Sequence, residues 1–257
     1  MKRRINHFII IGSSRGLGSA LVEVLLRNDS HHIFGVARTR FNEIKNYKNL
    51  CHSTRYHHIE TDITSASCVE TLKSITSKFS KGPIQVVFNA AVVESDITSD
   101  FTINFDTFDK VNSVGIRGLS NVLKAFEGYL FTYGGIFVGI SSFSAFVPPV
   151  FDPRIAYPSS KAYLDMCLRC LRSIWNSDHI SVVTVHLGHI GEKQAGSQSR
   201  SYSDTAEKLV KSLSGKKIPS EINYPRLYTL VYKYFLTSVP DFLYLKLFRM
   251  LRKSRIP

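Results

Sequence analysis

Tyr157 and Lys161 stand four positions apart in Tyr157-Pro158-Ser159-Ser160-Lys161. On a helix that spacing puts both on one face, with the ammonium close to the phenol oxygen. A free phenol has a pKa near 10 and is ionised roughly one time in a thousand at neutral pH. A neighbouring cation lowers that value, each unit corresponding to about 1.4 kcal/mol. A tyrosine tuned in this way can donate a proton to a carbonyl oxygen as hydride reaches the carbon, and then recover it. Ser142, at the end of Ile140-Ser141-Ser142, can orient that oxygen through a hydrogen bond. Pro158 lacks an amide hydrogen and is comfortable only near a helix start. Tyr157 is therefore expected near a helix N-terminus, whose dipole would also favour a phenolate.

A second group of residues could hold a dinucleotide. Gly12-Ser13-Ser14-Arg15-Gly16-Leu17-Gly18 follows an apolar run and opens a helical pattern. A pyrophosphate approaches backbone only where side chains are absent, and a helix start offers free N–H groups. The spacing differs from Gly-x-Gly-x-x-Gly, and alone it is weak evidence. Three other strand ends agree with it. Ala37-Arg38 stands where a site for NAD would place an acid; Arg38 and Arg15 could instead clamp a 2′-phosphate, which favours NADPH. Asp62-Ile63 follows a third run, where the carboxylate could meet an adenine amino group or cap a helix. Asn89-Ala90-Ala91 are small enough to let backbone lie against a ribose.

These residues need elements to position them. Candidate strands are His7–Ile11, His32–Ala37, Tyr56–Glu60, Ile84–Asn89, Gly135–Ile140 and Ile180–His186. Helical patterns lie between them at Gly16–Arg27, Ala66–Phe79, Phe105–Tyr129 and Ala156–Trp175, with a short one at Asp204–Ser214. Strands of Val, Ile and Phe without polar alternation are buried on both faces, which implies a parallel sheet covered by helices. The expected architecture is a Rossmann-type doubly wound α/β fold, with ligands at the carboxyl ends of the strands. Residues 1–220 would form the catalytic domain, and residues 221–257 a basic, aromatic helical extension packed on it. Gly191–Arg200 reads as a mobile loop.

Composition narrows the class. The 257 residues are 44% hydrophobic, enough for a sizeable core, and carry a formal charge of +13. The cysteines Cys51, Cys68, Cys167 and Cys170 are too few for a disulfide framework, which points to a reducing compartment, the cytoplasm. Cys167 and Cys170 read as packing residues rather than metal ligands, since no second ligand pair accompanies them. Phe8-Ile9-Ile10-Ile11 is too short for a signal-peptide core. Leu227 to Met250 is interrupted by Lys233, Pro240, Asp241, Lys246 and Arg249, so a spanning helix is not expected.

In order and spacing, the glycine turn, Asp62, Asn89-Ala90, Asn112, Ser142, Tyr157, Lys161 and Leu187-Gly188-His189-Ile190 resemble the short-chain dehydrogenase/reductase family. The resemblance covers residues 5 to 195. It implies NAD(P) hydride chemistry with Tyr157 as general acid and Lys161 on the nicotinamide ribose. Ser142 would then position the substrate, Asn112 would hold a relay water, and Gly188 and Ile190 would border the cofactor. It also implies a homo-oligomer, dimer or tetramer, through Phe105–Tyr129 and Ala156–Trp175. Lys161-Ala162-Tyr163-Leu164-Asp165-Met166 looks somewhat like sepiapterin-type and diketone reductases. The sequence departs from the family at Ala91, where a glycine is usual, at Leu187, usually proline, and at Glu192, usually a threonine. The segment between Ser142 and Tyr157 is also long, which makes Ser144 a rival serine.

The expected function is an NADPH-dependent carbonyl reductase for a small to medium, partly apolar substrate. The alternative is a non-catalytic NADPH sensor. Phe143, Phe146, Val150 and Phe151 flank the catalytic residues and are expected to shape the pocket, with His189 a further candidate. Residues 224–257 allow three readings: a lid, a dimer contact, or a basic aromatic helix on a membrane surface. Leu227, Leu230, Val231, Tyr234 and Phe235 recur at helical spacing, which favours an ordinary packed helix. No nucleic-acid partner is expected.

Overall fold

A computed structural model describes residues 5–44, 46–79, 81–148, 154–175, 179–192, 200–215 and 217–253. Strands β1 (His7–Ile11), β2 (His32–Ala37), β3 (Tyr56–Glu60), β4 (Ile84–Phe88), β5 (Gly135–Ser142), β6 (Ile180–Leu187) and β7 (Glu221–Tyr224) form one sheet in the order β3-β2-β1-β4-β5-β6-β7. Every pairing is parallel. The strand order reverses between β1 and β4, which opens a crevice at their carboxyl ends.

The period-two geometry of a strand explains why β1 carries no polar alternation. Ile9 and Ile11 enter one core layer, with Leu72, Val122, Phe126 and Leu168. Phe8 and Ile10 enter the opposite layer, with Leu17, Leu21, Ala206 and Leu209. Helices α1 (Gly16–Leu26) and α6 (Tyr202–Leu213) cover one face; α2 (Cys68–Thr76), α3 (Phe105–Asn112), α4 (Gly118–Tyr133) and α5 (Ala156–Ile174) cover the other. The Rossmann-type doubly wound parallel fold is thus present.

Three differences from the sequence reading have physical causes. The pattern Phe105–Tyr129 is not one helix, because a π turn over Ser113–Arg117 separates α3 from α4. Gly115 lies in that turn, and a Cβ there would stand 2.7 Å from the Cβ of Ser160. Glycine therefore lets the turn press against the helix that carries Tyr157. The second difference is β7, read as part of a helical extension. As an edge strand it is covered unevenly, and Glu-Ile-Asn-Tyr lacks the apolar run of its neighbours. The third is Cys170, which is exposed rather than packed, while Cys167 is half-buried. Beyond β7 the chain forms helical turns over 226–238 and then α7 (Asp241–Lys253).

Candidate active site

The helix that carries Tyr157 and Lys161 is held from outside itself. Asp96, fully buried, accepts hydrogen bonds from Ile155 N at 2.9 and 3.2 Å and from Ala156 N at 2.8 Å. A carboxylate on the first amides of α5 fixes the entry angle of Tyr157 and balances the helix dipole. Asp96 thus engages two of the amides at the helix start that the sequence reading expected to act on the Tyr157 phenol. No spacing in the sequence links residue 96 to residue 155.

At the carboxyl end of β5, the Ser142 side chain stands near enough to the Tyr157 phenol to draw its pKa down. Ser144 donates to Ser142 Oγ through its backbone N at 3.2 Å and its hydroxyl at 3.0 Å, so the Ser142 hydroxyl hydrogen is not used in that pair. Of the two serines, Ser142 is the one that meets Tyr157. Lys161 is buried, and its Nζ donates to Ile140 O at 2.8 Å and lies 5.6 Å from the centre of the Tyr157 ring.

The electrostatics differ from the sequence expectation. Burial pushes the Tyr157 phenol above its ordinary value; the Ser142 side chain and the charge of Arg154 act in the opposite direction. Burial also lowers Lys161 to about 8, with Asp165 opposing the shift. The lysine ammonium is turned to a backbone carbonyl, so the cation that moderates the phenol in this state is Arg154.

Asn112 ends α3 at the π turn, half-buried, and its amide makes no hydrogen bond among the described residues. Asp165, one turn beyond Lys161, accepts a hydrogen bond from His186 Nε2 at 2.7 Å, and His186 Nδ1 meets Asn223 Oδ1 at 2.9 Å. This buried chain ties α5 through β6 to β7, and Phe146 packs its ring 4.7 Å from that of His186. Sequence reasoning missed these residues. The available signal was a histidine inside a strand buried on both faces, since a buried polar side chain requires partners.

The glycine turn fits a dinucleotide. A Cβ on Gly18 would fall 1.9 Å from Gly12 O, so only glycine lets α1 start this close to β1. Gly16 has φ +58, and the space beside it is open until the Tyr202 ring at 3.5 Å from a built Cβ. The first turn of α1 has neither a side-chain cap nor an acidic residue, so its N–H groups remain available to an anion. The Arg15 and Arg38 side chains are exposed and make no hydrogen bond or ion pair among the described residues. Asn89 Nδ2 donates to Gly12 O at 3.2 Å and pins the turn to β4, with Ala90 and Ala91 half-buried beyond it.

Other expected contacts are limited to backbone. Leu17 and Ile63 are core residues, so only their main chains can face a ligand. The Ser14 hydroxyl accepts from Thr39 at 3.2 Å. Asp62 Oδ1 accepts from Thr64 N at 2.9 Å and Thr64 Oγ1 at 2.8 Å; it closes a turn rather than capping α2, which starts at Cys68. Gly188 N donates to Tyr224 O at 2.9 Å, and Ile190 pairs with Arg200. His189 and Glu192 are exposed. Phe143 is corrected from pocket wall to core: it is 3% exposed and stacks on Tyr232 at 5.7 Å. Val150, Phe151 and most of the expected loop after Gly191 lie outside the described residues.

The protein is a doubly wound α/β protein with a glycine turn after β1 and Ser, Tyr and Lys gathered after β5. The short chain dehydrogenase family model matches residues 6–202, and the chain belongs to that family of oxidoreductases. It is 27% identical over 207 residues to estradiol 17-beta-dehydrogenase 2 of Rattus norvegicus, covering 80% of this chain and 52% of the relative. It is 29% identical over 136 residues to the NADPH-dependent pterin aldehyde reductase of Arabidopsis thaliana, covering 52% of this chain and 55% of the relative. The chain thus spans about half the length of these relatives. A short chain dehydrogenase from Burkholderia cenocepacia J2315 in complex with NADP shares the fold at a TM-score of 0.77 and 18% identity, over 96% of this chain and 99% of that one.

Proposed function

We infer that the protein is an NADPH-dependent carbonyl reductase acting on a ketone or aldehyde. The observation that carries this reading is the convergence of Ser142, Tyr157 and buried Lys161 at the end of β5. When bound, the nicotinamide supplies hydride to the carbonyl carbon. Ser142 orients the carbonyl oxygen, and Tyr157 donates its phenolic proton to that oxygen, completing the alcohol. The Lys161 ammonium, turned from Ile140 O toward the ribose hydroxyls, then stands by the phenolate and offsets its charge. Asn112, whose amide makes no hydrogen bond among the described residues, holds a water through which the proton is replaced.

Gly12, Gly16 and Gly18 admit the pyrophosphate, and exposed Arg15 and Arg38 clamp the 2′-phosphate. A charge-assisted hydrogen bond contributes about 1.5–3 kcal/mol, so Arg38→Asp should cut the preference for NADPH over NADH by roughly tenfold to a hundredfold. Unchanged selectivity would remove the clamp. The relative's name as an NADPH-dependent aldehyde reductase supports the same direction. Exposed Phe105, Phe131, Tyr163, Met166 and Ile174 on α3, α4 and α5 support a homo-oligomer through these helices, and four free cysteines support the cytoplasm.

NADPH oxidation across a carbonyl panel tests the reading, with Tyr157→Phe as the control. Turnover by the wild type and a drop of about 10²–10⁴ in the variant are expected. Tight NADPH binding without turnover on any carbonyl would instead favour the sensor.

A further inference from the structure

Residues 226–253 depart from the packed-helix expectation. Leu227, Val231, Tyr234 and Phe235 share one side of the turns that follow β7, and that side faces outward, each side chain being 41% to 71% exposed. In α7, Phe242, Leu243, Leu245 and Met250 are 46% to 68% exposed. Lys246 and Arg249 are exposed beside them, so the solvent side of α7 mixes apolar and cationic groups. The opposite side is anchored: Tyr244 donates its hydroxyl hydrogen to Pro148 O at 2.6 Å.

We propose that this outward side of residues 226–253 docks on an anionic membrane surface, lying in the interface without crossing it. No helix among the described residues is long and apolar enough to span. The charge selects the occupant. Arg226, Lys246 and Arg249 are exposed in this stretch, while Lys233 turns inward to pair with Glu221 at 2.6 Å, and Asp241 is the single acid in its sequence. A twofold contact between copies would set this cationic face against itself, which like-charge repulsion opposes. Anionic headgroups meet the cations while Phe242, Leu245 and Met250 enter the acyl boundary. The inference is independent of the catalytic reading, because it uses none of the site residues.

The test is co-sedimentation of the full chain with vesicles of phosphatidylcholine alone and of phosphatidylcholine with phosphatidylserine. Binding to the mixed vesicles is expected, with weak binding to the neutral ones and release by added salt. The variant Lys246→Glu/Arg249→Glu should bind anionic vesicles about thirtyfold less or worse, each cation near the surface contributing about 1 kcal/mol. Phe242→Glu/Leu245→Glu should lose binding at low and high salt alike. The thermal melt of both variants should match the wild type, which excludes misfolding. Absence of binding to either vesicle type, or binding indifferent to both variants, overturns the proposal. So would a concentration-dependent dimer dispersed by Phe242→Glu/Leu245→Glu, which would assign the face to a second copy.

Discussion

Helix α5 buries a lysine until 5% of it is exposed, while helix α7 leaves a phenylalanine 68% exposed. These two regions invert the usual partition, in which charges stay wet and large apolar groups go inside. The Lys161 ammonium keeps one described hydrogen bond, to Ile140 O, and burial lowers its pKa to about 8. Phe242 forgoes the ~1.5–3 kcal/mol that full burial of such a side chain contributes. Neither arrangement helps the isolated chain fold. Each makes sense with a partner that supplies what the fold withholds: hydroxyls for the ammonium, and an apolar, anionic layer for α7.

Lys161→Met breaks the first half of the comparison with the largest effect. Turnover should fall at least about a hundredfold, because the phenolate loses its neighbouring cation. The melting temperature at pH 7 should not fall, since a buried charge is replaced by an apolar group of similar volume. A steady-state assay beside a thermal melt checks both. A variant that melts well below the wild type would mean that Lys161 holds the fold, not the reaction.

The pH dependence follows from the same burial. Lys161 sits at about 8 in the folded protein against 10.5 in its ordinary state, so between these values the unfolded chain binds more protons. Stability should therefore rise with pH across this window, by up to about 3 kcal/mol at the stated shift. Above pH 10 the raised Tyr157 acts the other way, because the unfolded chain releases its proton first. Urea titrations at pH 7.5, 8.5 and 9.5 should show wild type gaining on Lys161→Met. Parallel curves would remove the buried ammonium from the account.

What the sequence made legible divides along the same line. Strands β1, β2, β4, β5 and β6 were readable because burial on both faces leaves a largely apolar run, and the glycine turn because steric exclusion at Gly18 admits no other residue. Tyr157, Lys161 and Ser142 were readable as a set from helix spacing and strand position. Asp96 was not, since its bond to the α5 amides joins residues about sixty apart with no local signature. The outward turn of Phe235 and Leu227 was not either, because helical spacing gives a common side without saying which way it faces. The lysine's hold on Ile140 O was equally hidden, being a choice between two acceptors that only the packed site decides.

Asp96 sharpens the first half by showing a buried charge with its partners present. Its carboxylate receives both Ile155 N and Ala156 N, whereas Lys161 has a single described acceptor. Asp96→Ala should therefore lower stability by about 2–3 kcal/mol, in contrast to Lys161→Met. Chemical denaturation measures it, and a loss under 0.5 kcal/mol would mean that the α5 amides find water instead.

The smallest effect on the fold belongs to α7. Phe242→Gln keeps an uncharged side chain at a helix position already open to solvent, so stability should change by less than about 0.5 kcal/mol. The same change removes a side chain that would enter the acyl boundary, so partitioning onto anionic vesicles should weaken by roughly tenfold. The two readouts must separate. If denaturation shows a loss above about 1 kcal/mol, Phe242 packs within the folded chain, and its exposure no longer stands opposite the burial of Lys161. If both readouts stay flat, the cations alone bring α7 to lipid, and the inversion on this side is charge-driven rather than apolar.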